Sequence, residues 1–143
     1  MSLPAILLPL FVQIGLVFAL AVVMAARRLA VVRAGEVRRA EVSMGEHAWP
    51  ARAQTAANAF SNQFELPVLF YVLVVLAIIT RKADLVFVVM SWIFVLSRIA
   101  HALAYVTTNH VPYRFQAYTV GAVTLIAMWL IFAARLLLTP LPA

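Results

Sequence analysis

Six polar residues interrupt two long apolar stretches of the chain, and their chemical types are those that could hold a polar ligand. They are Asn58, Asn62 and Glu65 in the first stretch and Arg98, His101 and Tyr105 in the second. Residues three or four positions apart lie on one face of an α-helix, so each stretch predicts a helix with a single polar stripe. An ionisable group at membrane depth is costly and suggests function by default, which makes these stripes candidates for a functional site.

The two polar stripes are predicted to face each other across a short turn at residues 80–82. In an antiparallel hairpin, residues equidistant from the turn lie at the same depth. The level pairs would be Glu65 and Arg98, Asn62 and His101, and Asn58 and Tyr105. Opposite charges alone in lipid would each be costly, so we expect an ion pair between Glu65 and Arg98. Two interpretations stay open: the stripes fix only the helix register, or they also line a polar ligand cavity.

A cation and a phenol follow near the start of a further apolar stretch. Arg114 and Tyr118 are four positions apart, so they share one helical face close to the same polar layer. An arginine beside a tyrosine can hold an anion and offer a phenolic proton. The alternatives are that Arg114 is an anchor that reaches the lipid headgroups and that Tyr118 is an interfacial aromatic residue.

The composition places these elements in a membrane. Hydrophobic residues make up 66% of the 143 residues and charged residues 11%, whereas soluble domains are about 45–50% apolar. The charged side chains are too few to cover a soluble domain of this size, so a soluble fold is excluded. The chain has no cysteine, and its three histidines lack ligand spacing, so we predict no metal site.

The apolar pattern predicts an all-α integral membrane protein with one domain, an antiparallel bundle of four transmembrane helices. A span needs about 20 residues, and the predicted spans cover residues 3–26, 53–79, 83–107 and 115–138. A cleaved signal peptide is the alternative for the first span, but it would have a basic start and a shorter apolar core. Pro67 is expected to kink the second span and to free the carbonyl of Gln63.

The connection between the first two spans, residues 27–52, is strongly basic. It holds six of the eleven Lys and Arg residues, namely Arg27, Arg28, Arg33, Arg38, Arg39 and Arg52. The positive-inside rule therefore predicts that this loop is cytoplasmic and that both termini lie outside. The arginines would orient the chain and contact anionic lipid, or some of them would bind a dedicated ligand. Since the basic residues report topology, no nucleic-acid partner is predicted. His47 and His110 are expected in solvated loops.

Three motifs together resemble the MAPEG family, the membrane-associated proteins of eicosanoid and glutathione metabolism. They are Asn62-Gln63-Phe64-Glu65-Leu66-Pro67 in the second span, Arg98-Ile99-Ala100-His101-Ala102-Leu103-Ala104-Tyr105 in the third, and Arg114 with Tyr118 in the fourth. Their spacing is similar to that of microsomal prostaglandin E synthase, and the bacterial members of the family are more similar still. The resemblance covers nearly the whole chain.

The resemblance implies a homotrimer of four-helix subunits in the bacterial inner (plasma) membrane. Glutathione would bind near the cytoplasmic side between subunits, and a lipophilic substrate would enter from the bilayer. Carried over by position, Arg114 would stabilise the thiolate and Tyr118 would contact it. The remaining implied ligand contacts are Asn58, Asn62, Glu65, Arg98, His101 and Tyr105, with Arg27 or Arg28 at a glutathione carboxylate.

The resemblance leaves two functions open. The first is a glutathione-dependent transferase, isomerase or peroxidase. The second is a noncatalytic protein of the same fold that binds lipid or serves as an accessory subunit of a larger membrane complex. The second is favoured by one departure, because catalytic relatives carry arginines where this chain has Asn58 and Ser61.

Overall fold

The structure, a computed structural model, describes residues 1–43 and 49–138, and of Arg39 it describes the backbone. Every secondary-structure element in these residues is helical. The helices are α1 (Leu3–Arg33), α2 (Arg39–Val42), α3 (Ala51–Ser61), α4 (Leu66–Ile79), α5 (Leu85–Val106) and α6 (Val111–Leu138), with a 3₁₀ turn at Asn62–Phe64. The expected loop position of His47 lies outside the described residues.

Within residues 1–43 and 49–138, four helical segments are long and apolar enough to cross a membrane, which confirms the predicted all-α membrane fold. They are Leu3–Arg33, Ala51–Ile79, Leu85–Val106 and Val111–Leu138. The first and last are longer than predicted, since α1 continues through its basic residues and α6 begins at Val111. We call the end of the bundle with residues 34–50 the loop end, and the end with residues 80–84 the turn end.

The end of α1 is set by Gly35. This glycine has a φ of 72°, and the amides of Gly35 and Glu36 donate to the carbonyls of Val32 and Val31. That pattern closes a helix when its first residue after the cap is left-handed, a conformation that glycine adopts easily. Beyond it, Val37 is buried against Val31 and Ala53, so this part of the loop folds back on the bundle.

α5 is the central helix of the bundle. It packs against α1, α3 and, most extensively, α6. The largest apolar core lies in the turn-end half, where the rings of Phe70 on α4 and Phe94 on α5 are 4.8 Å apart. Many large apolar side chains face outward instead, including Phe11, Phe18 and Leu130. This outward apolar surface is what a membrane-embedded bundle presents to lipid or to other subunits.

The second span is interrupted rather than kinked. The helix stops at Ser61, passes through the 3₁₀ turn, and restarts after Glu65, whose φ and ψ are −99° and −106°. Pro67 in the first turn of α4 has no amide proton, so the helical hydrogen bonds cannot run through this point. The predicted kink at Pro67 is therefore replaced by a break in the helix just before this proline. The break determines which polar side chains can contact each other.

Candidate functional site

The candidate site centres on Arg114, in the first turn of α6 at the loop end. Its guanidinium carbon lies 3.7 Å from the centroid of the Tyr105 ring, and Nη2 donates to the Tyr105 hydroxyl at 2.9 Å. Nη1 donates to Oδ1 of Asn109, while Nε is buried without a hydrogen-bond partner. Arg114 is thus half-buried and folded back onto the protein rather than extended along the surface as a simple anchor would be.

His101 lies beside Arg114 and is buried. Its Nδ1 is 2.9 Å from the backbone carbonyl of Arg114. A carbonyl only accepts hydrogen bonds, so Nδ1 carries the proton and Nε2 of the neutral ring is an acceptor. That Nε2 atom is buried without a partner. The imidazole centroid is 5.2 Å from the ring of Tyr105 and 5.8 Å from that of Tyr118.

Four predicted residues therefore form one cluster: His101, Tyr105, Arg114 and Tyr118. α5 and α6 are unbroken here. The spacing of three or four residues therefore keeps each pair on one face, as the sequence predicts. A cation, two phenols and an imidazole with a free acceptor can together hold an anionic group and exchange a proton with it.

Arg98 lies one turn deeper and is fully buried. Its Nη2 donates to the backbone carbonyl of Asn62 at 3.0 Å. The guanidinium carbon is 5.8 Å from the centroid of the Tyr118 ring, and Nε and Nη1 have no hydrogen-bond partner. A helix continuing past Ser61 would use the Asn62 carbonyl for its own hydrogen bond. The interruption of the helix at the 3₁₀ turn therefore lets Arg98 bind this carbonyl.

The predicted ion pair between Glu65 and Arg98 is wrong. Among the described side chains, ion pairs join Arg52 to Glu36 and Arg135 to Asp84, for example, but none joins Glu65 to Arg98, and Glu65 is exposed. Because the helix is interrupted at residues 62–65, Glu65 no longer follows the helical spacing from Asn62. Its side chain faces outward while Arg98 points inward.

The two asparagines of the second span bond within their own segment. Gln54 donates to Oδ1 of Asn58 at 2.8 Å, and Nδ2 of Asn62 donates to the Asn58 carbonyl at 3.0 Å. In the part of the chain that the structure describes, neither side chain hydrogen-bonds to the His101 or Tyr105 predicted level with it. The second span reaches the cluster through its backbone, at the carbonyl that Arg98 binds.

The two arginines predicted on α1 differ in their contacts. Arg27 donates from Nη1 to the carbonyl of Arg52 at 3.1 Å and from Nη2 to the carbonyl of Val106 at 2.6 Å, which joins α1, α3 and α5. Arg28 places its guanidinium carbon 4.8 Å from the ring of Trp49. Arg27, Arg52, Tyr105 and Asn109 all line one open cleft of about 490 Å³ at the loop end. Arg27 and the contact partners of Arg114 therefore meet at a common opening.

The motifs and the fold can be compared with known proteins. A model of the MAPEG family matches residues 6–134. The chain belongs to the MAPEG family. Searches of curated proteins and of solved structures gave no match. The match confirms the resemblance drawn from the three motifs at the level of the family.

This MAPEG chain also has a buried polar contact that sequence reasoning missed. Nε2 of Gln13 on α1 donates to Oε1 of Gln63 at 2.9 Å, and Nε2 of Gln63 donates to the carbonyl of Ala59 at 3.0 Å. Both glutamines are fully buried. The signal was present in the sequence, because Gln13 is the one polar interruption of the first predicted span. Its partner could not be read from spacing, since the two residues lie on different helices.

No group of metal-ligating side chains occurs among residues 1–43 and 49–138 of this MAPEG chain. The polar cluster carries basic and phenolic groups instead. Arginine does not bind cations, so the chemistry available at the cluster is that of anion binding and proton transfer.

Proposed function

We propose that this MAPEG protein is a glutathione-dependent transferase or peroxidase that acts on a lipophilic substrate. The observation that carries the proposal is Arg114, a half-buried guanidinium with a buried, unpartnered Nε. It is stacked on Tyr105, a residue that lines the open cleft at the loop end. Glutathione would supply a thiol, whose ordinary pKa is about 8.5 and falls next to a cation.

The residues of the cluster fit this chemistry. Arg114 would exchange its contact with the neutral Tyr105 hydroxyl for an anionic sulfur, and hydrogen bonds to charged acceptors are the stronger ones. Tyr118 would contact the same atom. His101 would orient Arg114 through its backbone carbonyl, the bond it already makes.

The binding groups surround that centre. We propose that Asn58, Asn62 and Glu65 bind the peptide part of glutathione. Arg98 and Tyr105 would support this binding, and Arg27 or Arg28 would bind a glutathione carboxylate. The cleft at the loop end is lined by both Arg27 and Arg52, so it suits an anionic tripeptide. Arg52 is paired with Glu36, so Arg27 provides the net positive charge at the opening, which raises the local concentration of anions.

A homotrimer in the bacterial inner membrane, with the loop end in the cytoplasm, completes the proposal. Glu65 supports the assembly, because its carboxylate is exposed on a membrane span. A carboxylate facing lipid is costly, so contact with a neighbouring subunit would stabilise it. The excess of arginine in residues 27–52 supports the orientation.

The test compares the wild type with Arg114→Ala in calorimetric titrations with glutathione and in conjugation to an aromatic electrophile. We expect the variant to lose on the order of 100-fold in kcat, as sites do that lose one preorganised donor to developing charge. Arg135→Ala is the matched control, since Arg135 is on the same helix at the other end. No binding at millimolar glutathione, or equal rates for wild type and Arg114→Ala, would contradict the enzymatic function.

A noncatalytic role is the second candidate, as a lipid-binding protein or an accessory subunit of a larger membrane complex. The observation that favours it lies in α3, where Asn58 bonds to Gln54 and Ser61 is exposed, so the part of α3 after Arg52 offers a ligand no cation. Under this function the purified protein would not bind glutathione. It would instead copurify with a lipid or a partner subunit in stoichiometric amount.

A further inference from the structure

A second cleft lies at the turn end of the bundle, away from the candidate site. It is formed by the start of α1, the end of α4 and the following turn, and its volume is about 330 Å³. Ligand clefts typically measure roughly 300–1,000 Å³. Among the lining residues are Leu3, Ile6, Ala77, Ile78 and Ala83, and every lining residue except Arg81 is apolar. The cleft therefore matches a molecule with an apolar chain and an anionic group.

Arg81 holds a backbone conformation that normally belongs to glycine. Its φ is 56°, and the amides of Arg81 and Lys82 donate to the carbonyls of Ile78 and Ala77 at 3.1 and 3.0 Å. In this helix-ending pattern the left-handed position strongly prefers glycine. A side chain kept there in spite of the strain is a reason to look for a function.

The depth of this arginine fits a lipid headgroup. Residues 80–84 connect two membrane spans, so Arg81 and Lys82 lie where the hydrocarbon ends. Ile6 and Ala77 are buried in the apolar core and form the inner part of the cleft. The acidic residue of this turn, Asp84, has its carboxylate 2.8 Å from Arg135, which offsets its charge. The surface around the cleft is therefore complementary to an anion.

We propose that this cleft binds an anionic phospholipid. The phosphate lies on Arg81 and Lys82, and the first part of one acyl chain runs along Leu3, Ile6 and Ile78. Basic residues next to a membrane surface attract anionic lipids, and the apolar lining adds the hydrophobic contribution of the chain. The site shares no residue with the glutathione site, so either proposal can fail without the other.

The experiment uses the full-length protein in neutral detergent with a phosphatidylglycerol that carries a photoactivatable group on its acyl chain. A phosphatidylcholine analogue with the same chains is the comparison. We expect crosslinks in peptides that contain residues 3–6 and 77–83, at least threefold more with phosphatidylglycerol. Equal labelling by the two lipids, or labelling confined to other parts of the chain, would overturn the proposal.

Variants separate the lipid site from folding. Arg81→Gly removes the cation and relieves the strained backbone, so its melting temperature without lipid should equal or exceed that of the wild type. Its selective crosslinking should fall at least threefold, while Arg33→Gln, which removes an exposed cation at the loop end, keeps it. In Leu3→Trp, a larger side chain at an exposed position fills the cleft while Arg81 and Lys82 are unchanged. We expect this variant to be labelled less than the wild type. Unchanged labelling in Arg81→Gly would overturn the proposal.

Discussion

At the scale of single residues, Arg98 shows how a buried cation can be accommodated without a carboxylate partner. Its guanidinium binds the carbonyl of Asn62 at the helix break, and it lies near the ring of Tyr118. Glu65, the residue predicted as its partner, is exposed. The energetic consequence is that Glu65 and Arg98 should act almost independently on stability.

For the separated subunit in detergent, where the proposed contact of Glu65 with a neighbouring subunit is absent, we predict that Glu65→Gln changes the free energy of unfolding by less than about 0.5 kcal/mol, as exposed substitutions usually do. Breaking a buried ion pair would instead destabilise by about 3–5 kcal/mol. A double-mutant cycle with Arg98→Gln measures the coupling directly, and we expect it below about 0.5 kcal/mol. A coupling above about 2 kcal/mol would show that the two side chains meet in the bilayer after all.

At the scale of elements, α5 and α6 approach each other through Gly121. A Cβ added to this glycine would lie 2.6 Å from Oγ of Ser97, and that hydroxyl already donates to the carbonyl of Phe94 at 2.6 Å. Ser97 is buried, so it has little room to move. Gly15 on α1 is a natural comparison, because nothing lies within 4 Å of its added Cβ.

Gly121→Ala should destabilise the protein by about 1–3 kcal/mol, the usual effect of overpacking. Gly15→Ala should be neutral or stabilising by up to about 1 kcal/mol, because alanine favours a helix more than glycine does. Thermal unfolding of both variants in the same detergent provides the measurement. If the two variants melt alike, the close contact of α5 and α6 at this point is refuted.

The elements also show why the site could be predicted only in part. Spacing works inside an unbroken helix, so His101, Tyr105, Arg114 and Tyr118 come together as expected. It fails across the break at residues 62–65, because Pro67 ends the periodicity on which the level pairs depended. The contact of Gln13 with Gln63 joins two helices whose relative rotation is set by packing. Apolar residues that face lipid and those that face a neighbour look alike, so no pattern in the sequence fixes that rotation.

At the scale of the whole molecule, the two ends of the bundle are closed differently. At the loop end, the Arg27 side chain binds the backbone carbonyls of Arg52 and Val106. At the turn end, Asp84 caps α5 by accepting a hydrogen bond from the amide of Phe87 at 2.9 Å. The same side chain is paired with Arg135 near the end of α6. Asp84 therefore links the start of one span to the end of the next.

The contact of Asp84 with Arg135 predicts that the stability of the protein depends on pH. The hydrogen bond from Arg135 lowers the pKa of Asp84 below its ordinary value of 3.8, with a smaller contribution from the amide of Phe87. A carboxyl with a lowered folded-state pKa stabilises above its unfolded pKa, and this stabilisation is lost as the pH falls through the folded value. The pair is half exposed, so we expect at most about 1 kcal/mol, fully present above about pH 4.

Two variants at Asp84 separate the cap from the ion pair. Asp84→Asn keeps a capping oxygen and loses the charge, so its stability should lack this pH dependence. Asp84→Ala loses the cap as well, which should lower the free energy of unfolding by a further amount of about 0.5–2 kcal/mol. Melting temperatures between pH 3 and pH 7 give the comparison. The same slope in wild type and Asp84→Asn would assign the pH dependence to other groups.

Arg27 has a consequence for how a ligand would change the protein. Its two hydrogen bonds occupy the carbonyl of Val106, one of those that the end of α5 leaves without a helical partner, and that of Arg52 on α3. An anion that recruits Arg27 must replace both acceptors, so binding would loosen the ends of two helices. Amide hydrogen exchange near residues 104–110 would then become faster when the ligand binds. A ligand that recruits Arg27 would therefore lose part of its affinity to the disorder it causes at the ends of these helices. A ligand that leaves the hydrogen bonds of Arg27 intact would not.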